Sequence, residues 1–314
     1  MNILESIDPE LRAPLKAIPA QTQSLEALLA ARRASESRTY PLPENSTVTV
    51  EDRKVDGVGI RLYLPPDSQT SSKEKRSALL WMHGGGYVLG SARMDDTRNA
   101  HLAQTLNCVV ISVEYRLCPE NPYPAPLDDC YRALTWLVNN AENLGIDSRK
   151  IILAGTSAGG GLSAGLALRI RDQGLPGNGD FSPQKLLLIA PMLDNRNETN
   201  SIQSDVPLWN SVSNEIGWNA YLGDLANTHQ PPAEAVPGRA DRLHGLPPTF
   251  IAVGSVDGFL DENIDYARRL IETGVPVDLH VFPGVYHGAD VFCPDAKIIQ
   301  RMRGTIYKAI KSTY

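Results

Sequence analysis

From about residue 48 onward, short apolar runs alternate with longer amphipathic stretches. The runs at 48–50, 58–64, 78–83, 109–115, 151–155, 185–190, 249–254 and 277–282 read as strands. The inner ones are almost continuously apolar, as suits strands covered on both faces of a parallel sheet. Between them, 95–107, 126–143, 158–173, 261–273 and 295–311 carry apolar residues at helical spacing. Strand–helix alternation predicts an α/β fold: a mostly parallel, doubly wound, eight-stranded sheet flanked by helices. The first two strands, separated by a short turn, are expected to form an antiparallel edge.

Two segments stand outside this rhythm. Residues 1–45 are helix-prone, with Leu25, Leu28 and Leu29 on one face and Pro41 and Pro43 ending the stretch. Residues 194–246, between the sixth and seventh strands, contain no good strand and mix polar residues with Trp209, Trp218 and Tyr221. A long insertion at the carboxyl edge of a sheet usually covers a ligand crevice; a peripheral helical excursion is the alternative. The expected organisation is one domain formed by 46–193 and 247–314, with 1–45 and 194–246 as cap segments.

Composition narrows the function. Thirty Lys and Arg against 36 Asp and Glu give a net charge of −6, which offers nothing to nucleic acid or an anionic membrane surface. The apolar runs are far shorter than the ~20 residues of a membrane-spanning helix. Cys108, Cys118, Cys130 and Cys293 have neither C-x-x-C nor zinc-ligand spacing, so free thiols are expected and no metal site. The first fifteen residues lack the apolar core of a secretory signal. The sequons at Asn45 and Asn197 are therefore taken as chance matches, and the expected compartment is the cytoplasm.

The strongest chemical signal is Gly155-Thr156-Ser157-Ala158-Gly159, between the strand at 151–155 and the helix at 158–173. A G-x-S-x-G turn from strand to helix is a nucleophile elbow. Small residues let neighbouring elements approach, and the serine oxygen projects beside a helix N-terminus. The second signal is His83-Gly84-Gly85-Gly86-Tyr87, directly after the strand at 78–83. Consecutive glycines expose backbone N–H groups able to hold an oxyanion. A phosphate loop is the competing reading, but Gly84, Gly86 and Gly90 miss the dinucleotide spacing and no G-K-[ST] exists. His83 precedes the donors and reads as a loop organiser.

A serine nucleophile needs a base, and the base an orienting acid. Of the six histidines, His280 lies mid-strand, His101 in a helix, and His229 and His244 in the insertion. His287 follows the last strand, where the base must come from. Asp257 comes immediately off the seventh strand. Asp261, the other candidate acid, and Glu262 begin the next helix, where they suit its positive end. The order Ser157, Asp257, His287 is that of an α/β-hydrolase triad.

Taken together, His83 to Tyr87, Tyr115-Arg116-Leu117-Cys118-Pro119-Glu120, the serine elbow, Asp257 with Asp261-Glu262, and Pro283-Gly284 to His287 resemble the hormone-sensitive-lipase-like (bacterial family IV type) carboxylesterases of the α/β-hydrolase superfamily. The resemblance covers roughly 78–300. It implies the α/β-hydrolase fold with a helical cap, an oxyanion hole formed by the backbone N–H groups of Gly85, Gly86 and Ala158, and no metal or organic cofactor. The chain departs from the usual pattern at Thr156, Cys118, Gly258 and Gly288-Ala289-Asp290. Glu120 is expected to accept local hydrogen bonds.

The expected function is serine-dependent hydrolysis of short- to medium-chain carboxylic esters, with a small-molecule ester as partner and a homodimer left open. Tyr87, Trp209, Trp218 and Tyr221 are candidate pocket residues, the two tryptophans and Tyr221 being equally suited to packing within the cap. Acyl transfer, lactone or amide cleavage, a dehydratase and a non-catalytic receptor are the rival readings.

Overall fold

The computed structural model describes residues 3–16, 24–66 and 75–312. Residues 17–23 of the expected N-terminal cap segment, and its first two residues, lie outside that range. Eight strands form one sheet: β1 (Thr49–Val55), β2 (Val58–Leu64), β3 (Arg76–Met82), β4 (Val109–Glu114), β5 (Ile146–Thr156), β6 (Lys185–Ile189), β7 (Thr249–Gly254) and β8 (Val277–Phe282). Their order across the sheet is β1-β2-β4-β3-β5-β6-β7-β8. β1 pairs with β2, and β2 with β4, antiparallel; every later pairing is parallel. The expected antiparallel edge is therefore present, and so is the α/β sheet.

Alternation along each inner strand builds two cores. Ala78, Leu80, Met82, Ile151, Leu153, Leu186 and Leu188 face one layer. There they meet α4 (Ala125–Asn140), α5 (Ala158–Gln173) and α8 (Leu260–Glu272). Leu79, Trp81, Ile152, Ala154, Leu187 and Ile189 face the other, covered by α3 (Asp96–Leu106) and α10 (Lys297–Lys311). α4 presents Leu127, Cys130, Leu134, Leu137 and Val138 as one buried stripe. Each large apolar side chain so buried stabilises the fold by about 1.5–3 kcal/mol relative to exposure.

The N-terminal part divides between the two layers. α1 (Ile3–Ser6) leads to Ile7 and Leu11, which are buried with Tyr286 and α10. α2 (Leu25–Ser35) begins at Ser24, whose hydroxyl caps the helix by accepting from the Ala27 N–H. It packs Leu28, flanked by Leu25 and Leu29, on the opposite core. The insertion contains α6 (Asn200–Gln203) and α7 (Ser211–Leu222) and, as expected, no strand. The four cysteines are free and buried.

Candidate active site

β3 and β5 are neighbours, as are β7 and β8, with β6 between the two pairs, and each of these four strands sends one functional loop from its carboxyl end at the same edge of the sheet. Pairing of Met82 with Gly155, and of Gly254 with Phe282, sets these loops level. The elbow is tight because its glycines leave no room. A Cβ on Gly155 would run into the carbonyl of Gly159, and one on Gly159 into the carbonyls of Met82 and His83. Ser157 itself has φ 55° and ψ −123°. A non-glycine residue held there is strained by about 1–3 kcal/mol. Its N–H donates to Ile189 and its carbonyl accepts from Gly161 and Met192, which fix the turn.

The β7 and β8 loops are laced to each other. Ser255 N–H donates to Phe282 O, Val256 N–H to Val285 O, and Gly284 N–H to the Ser255 hydroxyl. The N-terminal segment braces the second loop: Asp8 N–H donates to Gly284 O, and the Tyr286 hydroxyl to Leu11 O. On this frame His287 Nε2 lies 3.0 Å from Ser157 Oγ, and Nδ1 lies 2.9 Å from Asp257 Oδ2. With Nδ1–H donating to Asp257, Nε2 is free to accept the serine proton. The other Asp257 oxygen accepts from the Phe259 N–H at 2.9 Å, so the carboxylate cannot swing away. The Phe259 ring stands edge-on to the imidazole, with centroids 5.0 Å apart. Burial pulls the His287 pKa down, but the charge and hydrogen bond of Asp257, aided by Asp290, leave it raised above 6.5.

Asp261, the alternative acid, points elsewhere: its Oδ2 accepts from Ser201 N–H at 2.8 Å, tying α8 to α6. Glu262 accepts from the Leu193 N–H at 2.7 Å, and burial, with Asp194 and Asp257 nearby, pushes its pKa well up. Neither side-chain contact was visible in the sequence, because the partners lie 60 and 69 residues away.

After β3, Gly85 and Gly86 adopt φ 122° and 57°. Gly85 O accepts from Val88 and Leu89, closing a turn. Among the described residues, no backbone hydrogen bond takes up the N–H of Gly85, Gly86 or Ala158, so these donors are available to a ligand. His83 organises the loop, as expected. It is fully buried, stacked on Tyr115 with ring centroids 4.1 Å apart, and its Nδ1 is 2.8 Å from Gly84 O. Burial lowers its pKa.

The four aromatic pocket candidates divide. Tyr87, Trp218 and Tyr221 are each about 1% exposed. Tyr87 stacks on Tyr221 with centroids 4.0 Å apart, and Trp218 packs against both. These three are packed into the join between the insertion and the glycine loop after β3. Trp209 is half-buried, and its ring lies against Gly86. Glu120, expected to accept local hydrogen bonds, also pairs with Arg32 of α2. Among the described residues, no three His, Cys, Asp or Glu side chains are grouped to hold a metal ion.

Residues 79–291 match the family model described as the alpha/beta hydrolase fold. The chain belongs to that family, in its hormone-sensitive-lipase-like branch. It is 33% identical over 288 residues to an esterase, LipI, of Mycobacterium tuberculosis, covering 90% of this chain and 88% of that one. It is 31% identical over 301 residues to an ethyl acetate hydrolase of Pseudomonas putida, covering 90% and 91%. Among solved structures, a bacterial heroin esterase superposes with a TM-score of 0.89 at 36% identity, with 98% of each chain covered. Within an alpha/beta hydrolase, a serine elbow facing a histidine off the last strand is suited to acyl transfer.

Proposed function

We propose that this ester hydrolase cleaves short- to medium-chain carboxylic esters through an acyl-enzyme on Ser157. The observation that carries the reading is the unbroken line from Ser157 Oγ through His287 to Asp257, at 3.0 and 2.9 Å. Ser157 attacks the ester carbonyl while His287 Nε2 takes its proton. The oxyanion is held by the N–H groups of Gly85, Gly86 and Ala158. His287 then protonates the leaving alcohol, and a water it deprotonates releases the acid. Asp257 keeps the imidazole in the useful tautomer and stabilises the imidazolium.

The esterase relatives support the reaction class. The complete serine–histidine–aspartate line speaks against a non-catalytic receptor and gives no special support to a dehydratase. The chain-length limit rests on a cap: residues 24–45 and 194–246 would roof the site and bound its volume. A small-molecule ester is the partner on this reading. The free, buried thiols support a reducing compartment such as the cytoplasm.

The test pairs covalent labelling by a fluorophosphonate probe with turnover of p-nitrophenyl butyrate. Stoichiometric labelling at Ser157 together with turnover is expected. Labelling elsewhere, or none with turnover intact, would overturn the mechanism. Faster product formation with an added alcohol than with water alone would favour the acyltransferase reading.

A further inference from the structure

One carboxylate near His287 takes no part in the triad. Asp290 lies in the first turn of α9 (Ala289–Phe292), three residues after His287. It forms an ion pair with Arg98 of α3, in the other half of the chain. Arg98 Nη1 is 3.3 Å from Asp95 Oδ1, and the guanidinium lies 5.3 Å from the centre of the Trp81 ring. Trp81 Nε1 donates to Asp95 Oδ2 at 2.8 Å. Trp81 is the next-to-last residue of β3, two positions before His83. One guanidinium therefore joins the strand that delivers the oxyanion loop to the loop that delivers the histidine.

We propose that Arg98 is a positioning residue for the His287 loop: it holds Asp290 and offsets part of the field of that carboxylate at the imidazole. The proposal rests on the serine–histidine reading above. Two negative charges from the surrounding loops reach His287: Asp257 from the β7–α8 loop and Asp290 from α9. Ser157 and the Phe259 ring face it uncharged. Glu262, behind Asp257, is driven toward its neutral form by burial. Around Arg98 itself stand Asp95, Asp290 and Tyr307.

Asp257 is needed, because it orients the ring. A second uncompensated carboxylate would further favour the imidazolium. That would leave less neutral base at a given pH. Pairing with Arg98 keeps Asp290 as an anchor for the loop while muting its charge. The two partners therefore act on His287 with opposite signs. A contact that only stabilised the fold would not do so.

The pH dependence of kcat/KM separates these cases. Wild type, Arg98→Met, Asp290→Asn and the double variant would be compared on p-nitrophenyl butyrate, with Ser157→Ala as a control. Removing Arg98 exposes the Asp290 charge, and the acid-limb midpoint is expected to rise by about half a pH unit, less than an opposite charge in direct contact produces. Asp290→Asn leaves the guanidinium facing the loop, so the midpoint should fall. The double variant should lie between the two single variants. Should Arg98→Met fail to fold, Asp290→Asn and Arg98→Lys decide, with Lys expected to keep the wild-type midpoint. Shifts of the same sign in both single variants, or no shift in Asp290→Asn, would overturn the proposal. Full activity in Ser157→Ala would instead overturn the reading on which it rests.

Discussion

The ring of Trp209 stands where a side chain on Gly86 would have to go. The same ring is close to Gly217, where a Cβ would meet the indole at 3.1 Å. The indole N–H donates to Asn214 Oδ1 at 3.3 Å, and Asn214 in turn donates to Asn197 at 3.0 Å. A large ring is thus fixed against two glycines, one of them an expected oxyanion donor. Trp209→Ala should open apolar space there. Each added acyl methylene that fills it gains about 0.8 kcal/mol, roughly fourfold in kcat/KM. The optimum in a p-nitrophenyl ester series from acetate to palmitate should move to longer chains. An unchanged optimum would remove Trp209 from the specificity argument.

The acid can be identified by a pair of variants. Asp257 uses both oxygens on the site, one on His287 and one on Phe259 N–H, whereas Asp261 serves Ser201. Asp257→Asn should lower kcat on the order of 10⁴-fold through the wrong imidazole tautomer. Asp261→Asn should cost far less and mainly loosen the insertion. Reversed effects would make Asp261 the acid.

The raised pKa of His287 fixes the sign of the pH response. The base must be neutral, so kcat/KM should decline as pH falls through a value above 6.5. The same shift favours the folded state below the unfolded pKa, and that contribution is lost as pH rises through the folded value. Acid loss of activity should therefore precede unfolding. A pH–rate profile compared with circular dichroism over the same range checks this. A flat profile while the protein stays folded would point to another base.

Arg32 connects α2 to the loops after β3 and β4. It donates to the carbonyls of Val88, at 3.4 Å, and Cys118, at 3.2 Å, besides pairing with Glu120. Glu120 is half exposed, so Glu120→Gln should cost under about 1 kcal/mol in stability. Arg32→Ala also releases the two carbonyls. It should broaden the chain-length profile while leaving fluorophosphonate labelling of Ser157 within a few-fold. Deleting residues 1–45 is a harsher change, because Ile7 and Leu11 brace the His287 loop; it should slow labelling as well. Emulsified long-chain triacylglycerol should be a poor substrate for the full chain. An Arg32→Ala profile identical to wild type would separate α2 from specificity.

Periodicity located β2, β7, β8 and α5 at their observed limits, since each buries mostly apolar residues and ends at or just before a glycine or proline. It stopped β1 at residue 50 and started β5 at 151. The missing stretches are 51–55 and 146–150; apart from the buried Val55 and Ile146 at their far ends, they are polar and at least partly exposed. Backbone pairing to Arg61, Ile60 and Gly59 holds the first of these in the sheet, and pairing does not show in hydropathy. At the site, the elbow, the glycine loop and the post-strand loops were legible because their chemistry needs fixed residue types at fixed spacing. The Arg32–Glu120, Arg98–Asp290 and Asp261–Ser201 contacts were not, because they join distant parts of the chain through side chains that look like ordinary surface charge or polarity. The aromatic residues gave only half an answer: composition marked Trp218 and Tyr221, but only packing shows them buried against Tyr87.

The central claim is that Ser157 is the nucleophile, and the kinetics of Ser157→Ala on p-nitrophenyl butyrate test it most directly. The side chain is small, 6% exposed, and set in a turn fixed by its backbone, so the fold should survive the change. A loss of kcat of roughly 10⁶-fold is expected, with residual rate from the oxyanion donors and binding alone. Hydrolysis near the wild-type rate by the purified, folded variant would contradict the account.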